Sequence, residues 1–317
     1  MLIAMNTPIR MLWLAAVVCL AGAVRGQEPT YDLRSIWTDG QTARYRGVTD
    51  RHQALEMQFP GAEAGASESM IHSEILMTWR VERADPEGGG RCTLTIDEIT
   101  VELTAGDGEM RRLTHRDGGH ENPILDVVAK RISAMTGTPV EVEVAPDGRV
   151  ESVRGVERMR QKYGAASENI EDRDFREAAT GLAGIVGAGA EMTPGETWDE
   201  QFTWGHELGE LDFDTTFELI GVERIAGIDV ATVTTEAELD LEPEIPGEMP
   251  PGASVDVDLT EGRETTQTMF DLSRHEVVGQ NIDRTLSVDM TITINGRTLS
   301  RSITETVNSQ VLRIAEE

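Results

Sequence analysis

Between residues 284 and 294 the side chains alternate, with Leu286, Val288, Met290, Ile292 and Ile294 separated by Ser287, Asp289, Thr291 and Thr293. A period of two marks a strand with one buried face. At about 3.4 Å per residue this strand is about 35 Å long, a length normally found in twisted, curved sheets. Asn295-Gly296 follows and tolerates the positive φ of a type I′ turn, so the chain is expected to fold back with Leu299, Ile303, Val307 and Val311 on the same side. The same grammar recurs in residues 70–81 and 91–103 around the turn-rich segment 85–90, and in 211–224 and 228–241 around Ala226-Gly227. Pro146-Asp147-Gly148 joins two shorter runs at 140–145 and 149–153.

Two helical intervals interrupt the strands. Asn122 can cap a turn opened by Pro123, with Ile124, Val127, Val128, Ile132 and Met135 assigned to one face and Gly137 as the stop. The second interval, 156–186, is broken by Gly164, Gly181 and Gly184 and is expected to form two or three short helices. Residues 242–253 carry Pro243, Pro246, Pro250 and Pro251 and read as an exposed acidic loop.

Residues 1–26 read as a secretory leader: Arg10, an apolar run of about 13 residues, then Val24 and Gly26 at the small positions that a signal peptidase recognises before Gln27. A spanning helix needs roughly 20 apolar residues, so stable membrane insertion is not expected. Cys19 would be the acylated residue of a lipoprotein, but Ala16-Val17-Val18 precede it in place of a small residue. Cleavage near Gly26 sends the product to the periplasm or beyond and leaves Cys92 as its one cysteine, so stability rests on core burial without an internal disulfide. Fifty-seven acidic residues against 28 basic ones give a net charge of −29. Such a chain repels phosphate backbones, which excludes nucleic acid as a partner.

Two strands around a turn at 78–103 are matched at 215–241, and 31–58 has a loose counterpart at 197–213, a faint internal duplication. The expected fold class is therefore α+β, with two β-rich lobes of long curved antiparallel strands and a few packed helices. The leader would occupy 1–26, an N-terminal lobe with helices 27–190, and a C-terminal antiparallel lobe 191–317. Gly-Gln-Thr-Ala-Arg-Tyr-Arg (40–46), Val-Ala-Pro-Asp-Gly-Arg-Val-Glu-Ser-Val-Arg-Gly (144–155) and Met-Thr-Pro-Gly-Glu-Thr-Trp (192–198) resemble an uncharacterised family of secreted bacterial proteins. In that family a hairpin precedes a helical stretch and a Pro-Gly-Glu-Thr-Trp-like turn opens a second β region; no catalytic residue comes with the resemblance. More distantly, long strands wrapped around a helix are similar to periplasmic lipoprotein carriers of the half-barrel type.

Candidate chemistry is sparse. His115-Arg116-Asp117-Gly118-Gly119-His120-Glu121 gathers two imidazoles and two carboxylates, a possible zinc set, but the glycine pair enforces no geometry. The same triplet mimics a kinase catalytic loop without any glycine-rich nucleotide loop. His206 and Glu210 have the i, i+4 spacing of a zinc-peptidase helix, yet Gly205 and Gly209 place them at a hairpin tip. His275-Glu276 fails the same motif at Gly279. Asp256-Val257-Asp258 opens like a calcium loop but continues with Glu261 at the glycine position and Gln267 at the bidentate position. Gly187-Ala188-Gly189 lacks a third glycine, and Cys92 lies in a β run with no nearby imidazole. Trp37, Trp79, Trp198 and Trp204 sit in or beside strands and read as core anchors, with a carbohydrate platform as the alternative. No catalytic, cofactor or metal residue is assigned. The reading is a non-enzymatic extracytoplasmic binding protein for an apolar ligand or a protein partner; a hydrolase assembled only in three dimensions and a structural envelope component are the alternatives.

Overall fold

A computed structural model describes residues 29–58, 65–104, 109–117, 120–164, 170–206, 209–243, 253–295 and 297–314. The leader, Cys19 and most of the proline-rich loop lie outside these residues. The first half of the chain forms strands β1 (Thr42–Gln58), β2 (Gly65–Ala84), β3 (Gly90–Thr104), β4 (Met110–Thr114), β5 (Val140–Val144) and β6 (Val150–Arg154), together with helices α1 (Pro123–Met135), α2 (Val156–Tyr163) and α3 (Arg173–Ala183). The second half is a run of strands: β7 (Thr197–His206), β8 (Gly209–Ile225), β9 (Ile228–Pro243), β10 (Ala253–Asp271), β11 (Glu276–Ile294) and β12 (Arg297–Ile314).

All of these strands belong to one antiparallel sheet in the order β6-β5-β3-β2-β1-β12-β11-β10-β9-β8-β7, with β4 beside β3. The expected α+β class with two lobes is therefore overturned: the described residues are mostly β, 66% strand against 13% helix. The physical reason lies at the junction of the halves. Each half is a meander that would leave a long edge, and an unpaired edge exposes a row of N–H and C=O groups. The first and last strands satisfy each other's edge, in register from Arg44↔Ile314 to Gln58↔Ser300. Side chains reinforce the seam. Buried Glu276 lies 2.8 Å from Arg274 and 3.0 Å from Arg313, and it accepts a hydrogen bond from Gln41. Burial pushes its carboxyl pKa up, against the pull of the two guanidinium groups.

The turns follow their residues. Ala226 and Gly227 take φ of 49° and 91° between the paired Ile225 and Ile228, and Asn295 takes φ of 50° between the paired Ile294 and Arg297. Among the described residues the three helices lie on one side of the sheet, packed on β4, β5, β6 and, through α3, on β11. Their cover produces the largest core, in which Val81, Cys92, Leu94, Val142, Met159 and Phe175 are fully buried. Leu125 N–H is capped by Asn122, as the helix start requires, but the buried row of α1 is Leu125, Ala129 and Ile132, with Val128 and Met135 against it. Val127 is 61% exposed. It follows Leu125 by two residues, about 200° around the helix, so Val128, Ile132 and Met135 lie on the buried face as expected, Val127 does not, and the Ile124 side chain lies outside the described residues. Gly164 and Gly184 end helices as expected, whereas Gly181 lies inside α3. There its bare Cα admits the Gln280 side chain, since a Cβ would stand 2.6 Å from Oε1.

Candidate functional site

Strand alternation sends Trp198, Phe202 and Trp204 of β7 to the helix side, where register sets them opposite Phe217, Phe213 and Leu211 of β8. Trp198 stacks on Phe217 at 5.2 Å, and Phe202 and Trp204 lie 5.2 and 4.6 Å from Phe213. Arg284 from β11 closes this row, its guanidinium 5.3 Å from the Trp204 ring centre, paired with Glu264 at 2.6 Å and with Glu177 of α3 at 3.0 Å. Burial lowers the Arg284 pKa, but the two carboxylates outweigh it and hold the group firmly charged. Beneath α3 a cavity of about 70 Å³ lies between the polar Thr215, Thr235, Thr266, Thr268 and Gln280 and the apolar Phe202, Trp204, Phe217 and Val233. It has room for a few waters, which suits the buried Thr215 hydroxyl that lacks a partner among the described residues.

Beyond the helices the same side of the sheet changes character. Cross-strand register aligns Leu259, Val288, Ile303 and Leu55 in one row, Val257, Met290, Arg301 and Met57 in the next, and Val255, Ile292 and Leu299 in a third. Leu286 and Val288 are still buried, in a cluster with Leu211, Phe213, Ala237, Leu239 and Leu241. Met290, Ile292, Leu299, Ile303, Leu55 and Met57 are only half-buried, and Ile294 is 51% exposed. The apolar row expected on the terminal hairpin is thus on one face, but its cover fades toward the turn. The result is an apolar stripe across β10, β11, β12 and β1 that water reaches.

The opposite, open side of these strands is polar and acidic: Asp256 and Asp258 on β10, Asp289 and Thr291 on β11, Ser300, Ser302 and Thr304 on β12. A concavity there, about 540 Å³, runs over Asp50, Gln267, Asn281, Asp283, Asn308 and Gln310. Those amides and carboxylates present hydrated surface, with no aromatic face for a sugar to stack on.

The residues singled out by sequence do not assemble into a reactive set. His115 Nε2 accepts a hydrogen bond from Arg116, the His120 amide donates to Asp126, and Gly118 and Gly119 lie outside the described residues. His206 pairs with Gly209 and Gly205 with Glu210 across the β7–β8 hairpin, so the helical spacing does not exist. His275 has its Nδ1 3.0 Å from the Arg34 carbonyl. Asp256, Asp258, Glu261 and Gln267 are strung along extended β10, where about 3.4 Å per residue keeps them from wrapping an ion. Among the described residues no three His, Cys, Asp or Glu side chains converge as a metal site. Cys92 is buried, and desolvation pushes its thiol up to about 12. Gly187 sits in the α3–β7 connection, donating to the Asp147 carbonyl. Trp37 and Trp79 are core residues in edge contact, whereas Trp198 and Trp204 are half-buried at the site. Sequence reasoning missed Glu177, Glu264, Arg284 and Arg301. A readable signal existed for the last: Leu299, Arg301 and Ile303 share one face, and a basic residue interrupts the apolar parity of an acidic chain.

No family model and no curated protein matches the chain, so the family resemblance rests on its motifs. Those motifs have structural work. Residues 144–155 hold the β5–β6 hairpin, and Glu196 folds back to accept from the Thr193 amide before Trp198 Nε1 donates to the Val186 carbonyl. Among solved structures the chain is similar to lipovitellin, studied for its lipid–protein interactions, with 10% identity and a TM-score of 0.48 over 88% of this chain and 25% of that one. It spans a quarter of lipovitellin's length. Pseudomonas aeruginosa OccK11 (OpdR) and OpdO match at 8% identity and TM-scores of 0.20, covering 89% of this chain and 100% and 99% of theirs. At TM-scores below 0.5 these likenesses carry no functional argument. Among the described residues no helix is long and apolar enough to cross a membrane, which leaves strands unaddressed.

Proposed function

We propose that the chain is an extracytoplasmic, non-enzymatic binding protein that holds an apolar ligand along the helix side of its sheet, on the stripe that the helices leave uncovered. The observation that carries this reading is the exposure of Met290, Ile292, Ile294, Leu299 and Ile303 on a face whose other end is a closed core. Covering a half-exposed aliphatic side chain is worth about 1 kcal/mol, so several together support a stable complex with an alkyl chain. The leader at 1–26 supports export, and the acidic open side supports solubility with the stripe empty. Buried Cys92 and the scattered imidazoles support a role without catalysis.

The test is binding of a neutral apolar fluorophore, N-phenyl-1-naphthylamine, to purified protein freed of its leader. Fluorescence enhancement is expected to saturate at micromolar protein. Ile292→Ser with Leu299→Ser should weaken it at least tenfold without unfolding the chain. No enhancement, or equal enhancement in the double variant, would remove the stripe as the site.

A further inference from the structure

Resting on that reading, we infer that the ligand is an anionic amphiphile whose alkyl chain lies on the stripe and whose oxyanion head group, carboxylate or phosphate, is held by Arg301. Charge is sorted between the two sides of these strands. By register the helix-side positions of the uncovered segment are Ala253, Val255, Val257 and Leu259 on β10, Val288, Met290, Ile292 and Ile294 on β11, Arg297, Leu299, Arg301 and Ile303 on β12, and Leu55 and Met57 on β1. A chain with 57 acidic residues puts none at these positions, and both charged ones are arginine. The open side of the same segments carries Asp256, Asp258, Asp289 and Glu56, which repel an anion.

Arg301 also lacks what its neighbours have. On the same side, Arg51 lies 3.6 Å from Glu305, Arg284 holds Glu264, and Arg313 lies against Glu276. Arg301 is half-buried between Met290 and Met57, with Leu299 and Ile303 along its own strand. Its Nε is buried and has no partner among the described residues. A guanidinium in apolar surroundings loses hydration that only an anion restores well, and its planar fork matches a carboxylate or a phosphate through two parallel hydrogen bonds. A ligand that is purely apolar would leave that cation deeper and still unpaired. An amphiphile with a cationic head would meet like charge.

The experiment displaces bound N-phenyl-1-naphthylamine with four amphiphiles of equal chain length: dodecanoate, dodecyl phosphate, dodecanol and dodecyltrimethylammonium. At least one oxyanion should displace the probe at a concentration tenfold or more below that of dodecanol, with the ammonium compound weakest; the better of the two oxyanions names the head group. Arg301→Met should abolish this preference while the neutral probe still binds, and Arg301→Lys should keep part of it. Arg263→Met, on the open side of β10, should leave the preference unchanged. Equal displacement by dodecanol and both oxyanions, or a preference that survives Arg301→Met, would overturn the head-group assignment and leave the stripe as the apolar site. Failure of the wild-type protein to bind the probe would remove both.

Discussion

The helix side of the sheet contains two stretches built from the same residue types. Where α1, α2 and α3 pack, Val81, Leu94 and Val142 have no exposed surface. Farther along the strands, Met290, Ile292, Leu299 and Ile303 stand at equivalent alternate positions and are only half-covered. Alternation therefore specifies a side of the sheet, and cover has to come from another element. In the first stretch the chain supplies that cover itself, and burial becomes stability. In the second, among the described residues, no helix covers the face, and the apolar surface left over is what the proposed ligand would cover.

The sharpest way to break this contrast is to place a charge at its boundary. Val288 is 2% exposed and belongs to the cluster with Phe213 and Leu239. Val288→Asp should cost several kcal/mol, because a carboxylate buried there has no partner, and protease-resistant exported protein should disappear. Retention of resistant protein would mean that the cluster opens easily and that the covered stretch is not a true core.

Truncation should then separate the stretches more finely. Leu94→Ala removes a side chain with 0% exposure and is expected to cost about 2–5 kcal/mol. Ile292→Ala, on half-exposed surface, should cost no more than about 1.5 kcal/mol and should weaken probe binding instead. Urea midpoints of both variants measure the difference. Equal costs would show that the stripe is as covered as the core. On the other side of β11, Thr291→Asp should stay within about 0.5 kcal/mol, slightly unfavourable because register places Asp256 beside it.

What could be read from the sequence follows the same division. The hairpins were legible because their causes are local: Asn295, Ala226-Gly227 and Pro146-Asp147-Gly148 fix turns, and period-two runs fix the strands on either side. The pairing of β1 with β12 was not legible, since residues 44 and 314 share no local signal, and without it two meanders look like two lobes. The edge of the α1 face was misjudged at Val127, taken in place of Leu125, because the two offer overlapping apolar faces with Val128 and Ile132 and only packing chooses between them. The stripe was legible as a face but not as an exposed one. Glu177, Glu264 and Arg284 come from α3, β10 and β11 and meet only through the fold.

Another small effect lies on the open side, where charge rather than burial sets the energetics. His72 stands opposite Asp50 in the β1–β2 register, with its Nδ1 2.7 Å from the carboxylate, Glu74 at 3.7 Å and Glu102 opposite on β3. The Asp50 hydrogen bond comes first among the causes that raise its pKa above the ordinary 6.5, ahead of an opposing desolvation. A histidine whose folded pKa is raised binds its proton more tightly in the folded state, so its contribution is fully present below the unfolded pKa and is lost as pH rises through the folded value. The pair is about one-third exposed on the histidine side, so its worth is that of a surface ion pair, no more than about 1 kcal/mol. Compared with wild type, His72→Gln should lower the unfolding temperature by a few degrees at most near about pH 5.5 and by nothing measurable near about pH 8.5. Added salt should shrink the acidic difference, because the pair is in reach of counterions. The Ile292→Ala cost, set by apolar contact, should not respond to either variable in the same range. A salt-insensitive His72 effect would place that histidine in a drier setting than the open side provides, and the assignment of the two sides to water and to ligand would have to be reversed at β2.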